Sequence, residues 1–104
     1  MCGIAGIFSN NKVLVRRISS MVESMKHRGP DEKGLWKSEY FSFGMSRLSI
    51  LDVKNGSQPM WFKKIGLIFN GEIYNHKELR SKLINLGNKF NTQCETEDFL
   101  KLYY

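Results

Sequence analysis

Apolar and polar positions divide the chain into short strands and amphipathic helices. The run Gly3-Ile4-Ala5-Gly6-Ile7-Phe8 is closed by Ser9-Asn10-Asn11. A short apolar run bounded by turn residues predicts a buried strand, and the glycines in it point to close backbone approach. From Lys12 to Lys26, residues Leu14, Ile18, Met21, Val22 and Met25 recur at helical spacing and predict one amphipathic helix. Gly29-Pro30 breaks it. Leu35-Trp36-Lys37 is a candidate short strand. Phe41 to Ser46 alternates strictly, with Phe41, Phe43 and Met45 on one face, and is the cleanest strand signal in the chain.

Ile65 to Phe69 predicts a further strand, which runs into Asn70-Gly71. By local rules that pair is a two-residue hairpin turn. Asn75 and Glu78 match a capping box at the start of a helix. Leu79, Leu83 and Leu86 give that helix its buried face, and Gly87 stops it. Phe90-Asn91-Thr92 predicts a short strand. Glu95 to Tyr104 predicts a second helix, with acids in its first turn to suit the helix dipole and Phe99, Leu100 and Tyr103 toward the core.

Composition narrows the class. At 104 residues, 41% hydrophobic and 25% charged, the chain has the make-up of one globular domain. No apolar run approaches the ~20 residues of a membrane span, and the start lacks a secretory pattern. The cytoplasm is the expected compartment, with no membrane partner. A net charge of +6 raises nucleic acid as a partner, but the sixteen Lys and Arg are scattered in runs of at most two. No basic stripe interleaved with aromatics accompanies them, so nucleic acid is not expected. Cys2 and Cys94 do not make a disulfide framework, and no Cys/His cluster suggests a metal. His27 and His76 read as surface or capping residues.

Position two carries the chemical signal. If Met1 is trimmed, Cys2 holds a thiol and a free α-amine, a nucleophile and a base in one residue. The alternative is a small apolar residue opening a strand. Further short stretches follow in order: His27-Arg28-Gly29-Pro30-Asp31, Arg47-Leu48-Ser49-Ile50, Gln58-Pro59, Asn70-Gly71-Glu72-Ile73-Tyr74-Asn75 and Cys94-Glu95-Thr96-Glu97. With Met1-Cys2-Gly3-Ile4-Ala5-Gly6, this series resembles the glutaminase domain of class II glutamine amidotransferases, within them the asparagine synthetase (glutamine-hydrolysing) branch. The resemblance covers the whole chain.

The resemblance implies an α+β fold: the N-terminal half of a four-layer αββα N-terminal-nucleophile hydrolase sandwich with mostly antiparallel sheets. It implies that Cys2 attacks the side-chain amide of glutamine, with Asn70 and Gly71 holding the oxyanion. It puts Arg47 on the substrate α-carboxylate, Glu72 and Glu95 on substrate contacts, Ile50 and Leu51 in a wall, and Arg28 beside the nucleophile. Two positions depart from the family pattern. Glu95 stands where Asp is usual, and Met45 where many relatives carry His. Residues 1–104 are then a partial amidotransferase domain. ATP and magnesium belong to a separate synthetase domain, whose pyrophosphate loop is not in this sequence. The ammonia acceptor is aspartate on the nearest resemblance, or a sugar precursor as in related domains. The competing expectation is a truncated, inactive fragment that acts at most as an interaction module. It would need its missing second half or self-associate as a homo-oligomer.

Overall fold

The computed structural model describes residues 2–48 and 56–104. Met1, Ile50, Leu51 and the loop through Asp52 and Asn55 lie outside the described residues.

The alternating stretch from Phe41 is the centre of the first sheet. Strand β3 (Phe41–Arg47) lies between β1 (Gly3–Phe8) and β2 (Glu32–Lys37), and both pairings are antiparallel. Gly3 sits opposite Ser46, and Glu32 opposite Arg47. Residues directly opposite share a face. One face therefore carries Gly3, Ala5, Ser42, Gly44 and Ser46, and the other carries Ile4, Phe8, Trp36, Phe41, Phe43, Met45 and Arg47. The expected buried strand 3–8 is instead an edge strand. Its Ile4 and Phe8 belong to the second face, and Phe8 is 82% exposed.

The small-residue face takes the helices. The predicted helix 12–26 is two, α1 (Lys12–Val15) and α2 (Ile18–Ser24). Asn11 caps α1 by accepting from the N–H of Val13 and Leu14. The break frees the Val15 carbonyl, which accepts a 2.7 Å hydrogen bond from the Ser42 hydroxyl. Ser46 donates likewise to the Val22 carbonyl at 2.8 Å. The buried row is Val15, Ile18 and Val22, whereas Leu14 and Met21, expected inside, are exposed. Close approach needs small residues opposite. A Cβ at Gly3 would lie 2.9 Å from Met25 Sδ, and one at Gly44 2.8 Å from Val22 Cγ2.

The second face meets a smaller sheet. Strands β4 (Met60–Phe62) and β5 (Ile65–Leu67) form an antiparallel hairpin, turned by Lys63 and Lys64, with Lys63 at φ 55°. Trp61 packs on Trp36 and Phe43 of the first sheet, with ring centroids 5.6 and 6.3 Å apart. Phe62, the alternate residue, stacks edge-on against Tyr104 at 5.0 Å. Tyr104 ends α4 (Glu95–Tyr103), which covers β4 and β5 and packs on α3 (His76–Asn85). Helices, sheet, sheet and helices thus follow in layers, an α+β architecture with antiparallel sheets. The hairpin turn is at Lys63-Lys64, so Asn70-Gly71 lies beyond the end of β5 and joins no two strands.

Several local expectations give way to side-chain chemistry. Asn75 makes no side-chain cap bond, and Glu78 reaches forward to Lys82 at 3.0 Å. Leu86 falls past the end of α3 and is 80% exposed, while Gly87 at φ 98° supplies the expected stop. Residues 90–92 are not a strand. The Glu97 carboxylate takes the N–H of Asn91 and Thr92 and the Thr92 hydroxyl, at 2.7–3.1 Å, where a neighbouring strand would otherwise bond. In α4, Leu100 is buried as expected, but Phe99 and Tyr103 are exposed.

Candidate active site

A cavity of about 470 Å³ opens where the starts of β1 and α4 meet the end of β3 and the segment after β5. Cys2, Arg47, Asn70, Gly71, Glu72 and Glu95 all line it. Cys2 precedes β1, so strand pairing carries it alongside Leu48, the residue after β3. Its sulfur accepts the Leu48 N–H at 3.3 Å and lies 3.8 Å from the Leu48 carbonyl oxygen. Asn70 donates its side-chain Nδ2 to the Cys2 carbonyl at 2.9 Å. A carboxamide has two N–H bonds, and this contact uses one of them. Gly71 follows with its backbone close under the Phe69 ring; a Cβ there would sit 3.1 Å from Phe69 Cζ.

Arg47 ends β3 and is 5% exposed. Its Nη1 lies 3.3 Å from Oε2 of Glu32, its cross-strand neighbour. Gly56 packs directly on the Arg47 guanidinium and the Cys94 sulfur and leaves no room for a side chain. Glu95 opens α4, and its Oε2 accepts the Ile73 N–H at 2.6 Å. Glu72 is exposed at the rim. The cavity thus brings a cation, two carboxylates, a thiol, a carboxamide and a glycine peptide into one lining.

Arg28 does not line the cavity. It is exposed on the turn after α2. Its neighbours act on the wall instead. Gly29 is buried against the Ser46–Arg47 backbone, and the Asp31 N–H donates to the Arg47 carbonyl at 3.1 Å. Ile50 lies outside the described residues. Seven cavity residues were not singled out from the sequence as site residues: Leu48, Gly56, Gln58, Phe69, Tyr74, Cys94 and Thr96. Gln58 had a signal, the Gln58-Pro59 pair, without a role attached.

Behind the wall, Arg80 of α3 bonds Oδ1 of the buried Asp98 at 2.6 Å and the carbonyls of Thr92 and Cys94. His76 Nδ1 lies 3.6 Å from the other Asp98 oxygen. This clasp fixes α3 to α4 and holds the segment that delivers Cys94 and Glu95. Among the described residues no group of three His, Cys, Asp or Glu could hold a metal ion. No described helix is long and apolar enough to cross a membrane.

The sequence model of the glutamine amidotransferase domain matches residues 1–104. The chain belongs to that family. Curated relatives include asparagine synthetase [glutamine-hydrolyzing] 1 of Bacillus subtilis, 41% identical over 99% of this chain and 17% of its own length. The nodule asparagine synthetase of Pisum sativum is 41% identical over 99% of this chain and 18% of its own length. A putative asparagine synthetase of Methanocaldococcus jannaschii is 37% identical over 99% and 24%. The chain therefore spans less than a quarter of the length of these relatives, and it is homologous to their glutaminase part.

Proposed function

We propose that the chain supplies the glutamine-hydrolysing chemistry of an amide-forming synthetase and releases ammonia for an acceptor such as aspartate. The supporting observation is the single cavity shared by Cys2, Asn70, Gly71, Arg47 and Glu95. With Met1 removed, the Cys2 thiol attacks the carboxamide carbon of glutamine, and its own α-amine takes the proton. The amide oxygen becomes an oxyanion, held by the Asn70 carboxamide and the Gly71 N–H. The Cys2 α-ammonium returns its proton to the amide nitrogen, and collapse of that adduct expels ammonia and leaves a γ-glutamyl thioester. Water then releases glutamate and restores the thiol.

The rest of the cavity suits the far end of a free amino acid. A guanidinium fork matches the α-carboxylate of glutamine, which assigns it to Arg47. Glu95 and Glu72, the carboxylates lining the same cavity, suit the α-ammonium. Arg28, outside the cavity, acts through its loop on the backbone of Arg47. Residues 1–104 are part of the glutaminase domain on this proposal. ATP and magnesium are used in a separate synthetase domain, and the whole works in the cytoplasm, where thiols stay reduced.

The test is glutamate release from glutamine by protein whose intact mass shows loss of Met1. Wild type should release glutamate and Cys2→Ala should not. If folded, processed wild type releases no more than Cys2→Ala, the proposal fails.

A second function is favoured by one observation. Phe8, Trp36 and Phe41 of the first sheet, with Trp61 of β4, leave apolar surface open between the sheets. On that basis the chain acts at most as an interaction module until more protein covers this face. A sharp, concentration-independent melt by circular dichroism would count against it.

A further inference from the structure

We infer that Gln58 is a positioning residue for the oxyanion site, an inference that rests on the glutaminase proposal above. Gln58 is 9% exposed and lines the cavity, yet its side chain is committed elsewhere. Oε1 accepts the Phe69 N–H at 2.7 Å. Nε2 donates to the Phe69 carbonyl at 3.3 Å and to the Thr96 hydroxyl at 3.1 Å. A carboxamide has two N–H donors, and these two bonds use both. Gln58 therefore has no donor left for a substrate and acts on the backbone.

The backbone it acts on is the one that matters. Strand β5 ends at Leu67, and among the described residues Phe69 has no strand neighbour in its ladder. The Gln58 carboxamide takes that neighbour's place, offering one acceptor and one donor to the same residue. Fixing the Phe69 N–H and carbonyl fixes the peptide plane that leads into Asn70. The next two residues are the proposed oxyanion donors.

Gln58 is itself anchored from two sides. Its main-chain carbonyl packs directly over Gly34 of β2, where any side chain would collide with it. Thr96, buried in the first turn of α4, receives its amide. The residue thus ties the first sheet and α4 to the segment that carries Asn70 and Gly71. A buried polar network satisfied in this way is rigid.

The experiment compares Gln58→Ala and the isosteric Gln58→Glu with wild type, all lacking Met1. In glutamine hydrolysis, kcat should fall about 10²-fold, as when one oxyanion donor is displaced, while KM moves less than about threefold. Alkylation of Cys2 by iodoacetamide creates no carbonyl oxyanion, so its rate should be unchanged. In ¹⁵N spectra the Phe69, Asn70 and Gly71 amides should shift and lose protection from exchange, while β1 and β3 keep theirs. Wild-type kcat in a folded variant with unmoved Asn70 and Gly71 signals overturns the inference. So does loss of the β1 and β3 signals in both variants with a large rise in KM, because that is general collapse. If wild type itself releases no glutamate, the glutaminase proposal fails, and the ¹⁵N comparison still decides whether Gln58 sets Asn70 and Gly71.

Discussion

The two faces of the β1-β3-β2 sheet are built by opposite means. The helix face is made of Gly3, Ala5, Ser42, Gly44 and Ser46, and it is sealed: Val15, Ile18 and Val22 are buried against it. Its two serines donate to helix carbonyls at 2.7 and 2.8 Å. The other face is a run of large rings, Phe8 to Phe41 to Phe43, with centroids 6.4 and 5.5 Å apart. It is graded from bare to buried. Phe8 at one end is exposed, and Met45 and Arg47 at the other are covered.

Strand length explains the gradient. A three-residue strand spans about 10 Å and a seven-residue strand about 23 Å, so β4 and β5 shield less than half of β3. Trp61 of β4 lies over Trp36 and Phe43, and at the end that bears Arg47 the cover comes from Gly56 on its guanidinium and Glu32 beside it. The cavity sits on the finished end of the sandwich, and the bare end is remote from it. Local chemistry and global coverage are therefore separable here, and substitutions can test each alone.

The largest effect belongs to the sealed face. Ile18→Ala removes a fully buried side chain and should cost about 2–5 kcal/mol, read as a lower urea midpoint at unchanged slope. Gly44→Ala comes next. Its Cβ would meet the Gly34 carbonyl oxygen at 2.6 Å and Leu35 Cδ2 at 2.7 Å, an overpacking cost of about 1–3 kcal/mol by the same measurement. On the bare end, Phe8→Ser should change stability by no more than about 0.5 kcal/mol. If Phe8→Ser costs as much as Ile18→Ala, that face is covered in solution. A midpoint that then rises with protein concentration identifies the cover as a second copy.

The sequence showed the elements more readily than their partners. Strict alternation located β3 and put Phe41, Phe43 and Met45 on one face, but it gave no place to Ser42 and Ser46 on the other. They are buried because the helix breaks after Val15 and turns a carbonyl toward Ser42, which periodicity does not encode. The apolar run 3–8 gave a strand but not its place at the sheet edge. Phe90-Asn91-Thr92 has strand composition, yet a carboxylate from Glu97 satisfies its backbone. The chemistry proposed at Cys2, Asn70, Gly71 and Arg47 came from the order of short motifs, and the fold brings those residues to one cavity. The supports stayed hidden. Gln58 meets Phe69, and Arg80 meets Asp98, through contacts 11 and 18 residues apart that no local spacing announces.

The smallest effect lies at the rim of the sealed face. Lys33 is on the helix side of β2, opposite Ser46, and its Nζ bonds Glu23 Oε2 of α2 at 2.7 Å. That hydrogen bond, and then the Lys33 charge, hold the Glu23 carboxyl below the ordinary glutamate range; slight burial opposes them and Lys26 assists. A carboxyl with a lowered folded pKa adds stability above its unfolded pKa, about 4.3, and loses it as the pH falls through the folded value. The pair is exposed to solvent and screened by salt, so its trace is a titration rather than a shift in melting. Carboxyl ¹³C titration should find Glu23 below its ordinary range in wild type and raised toward it in Lys33→Met. Added salt should bring the two curves together. An identical Glu23 titration in both proteins at low salt would mean that α2 is not seated on β2 as described, and the sealed face would lose its rim.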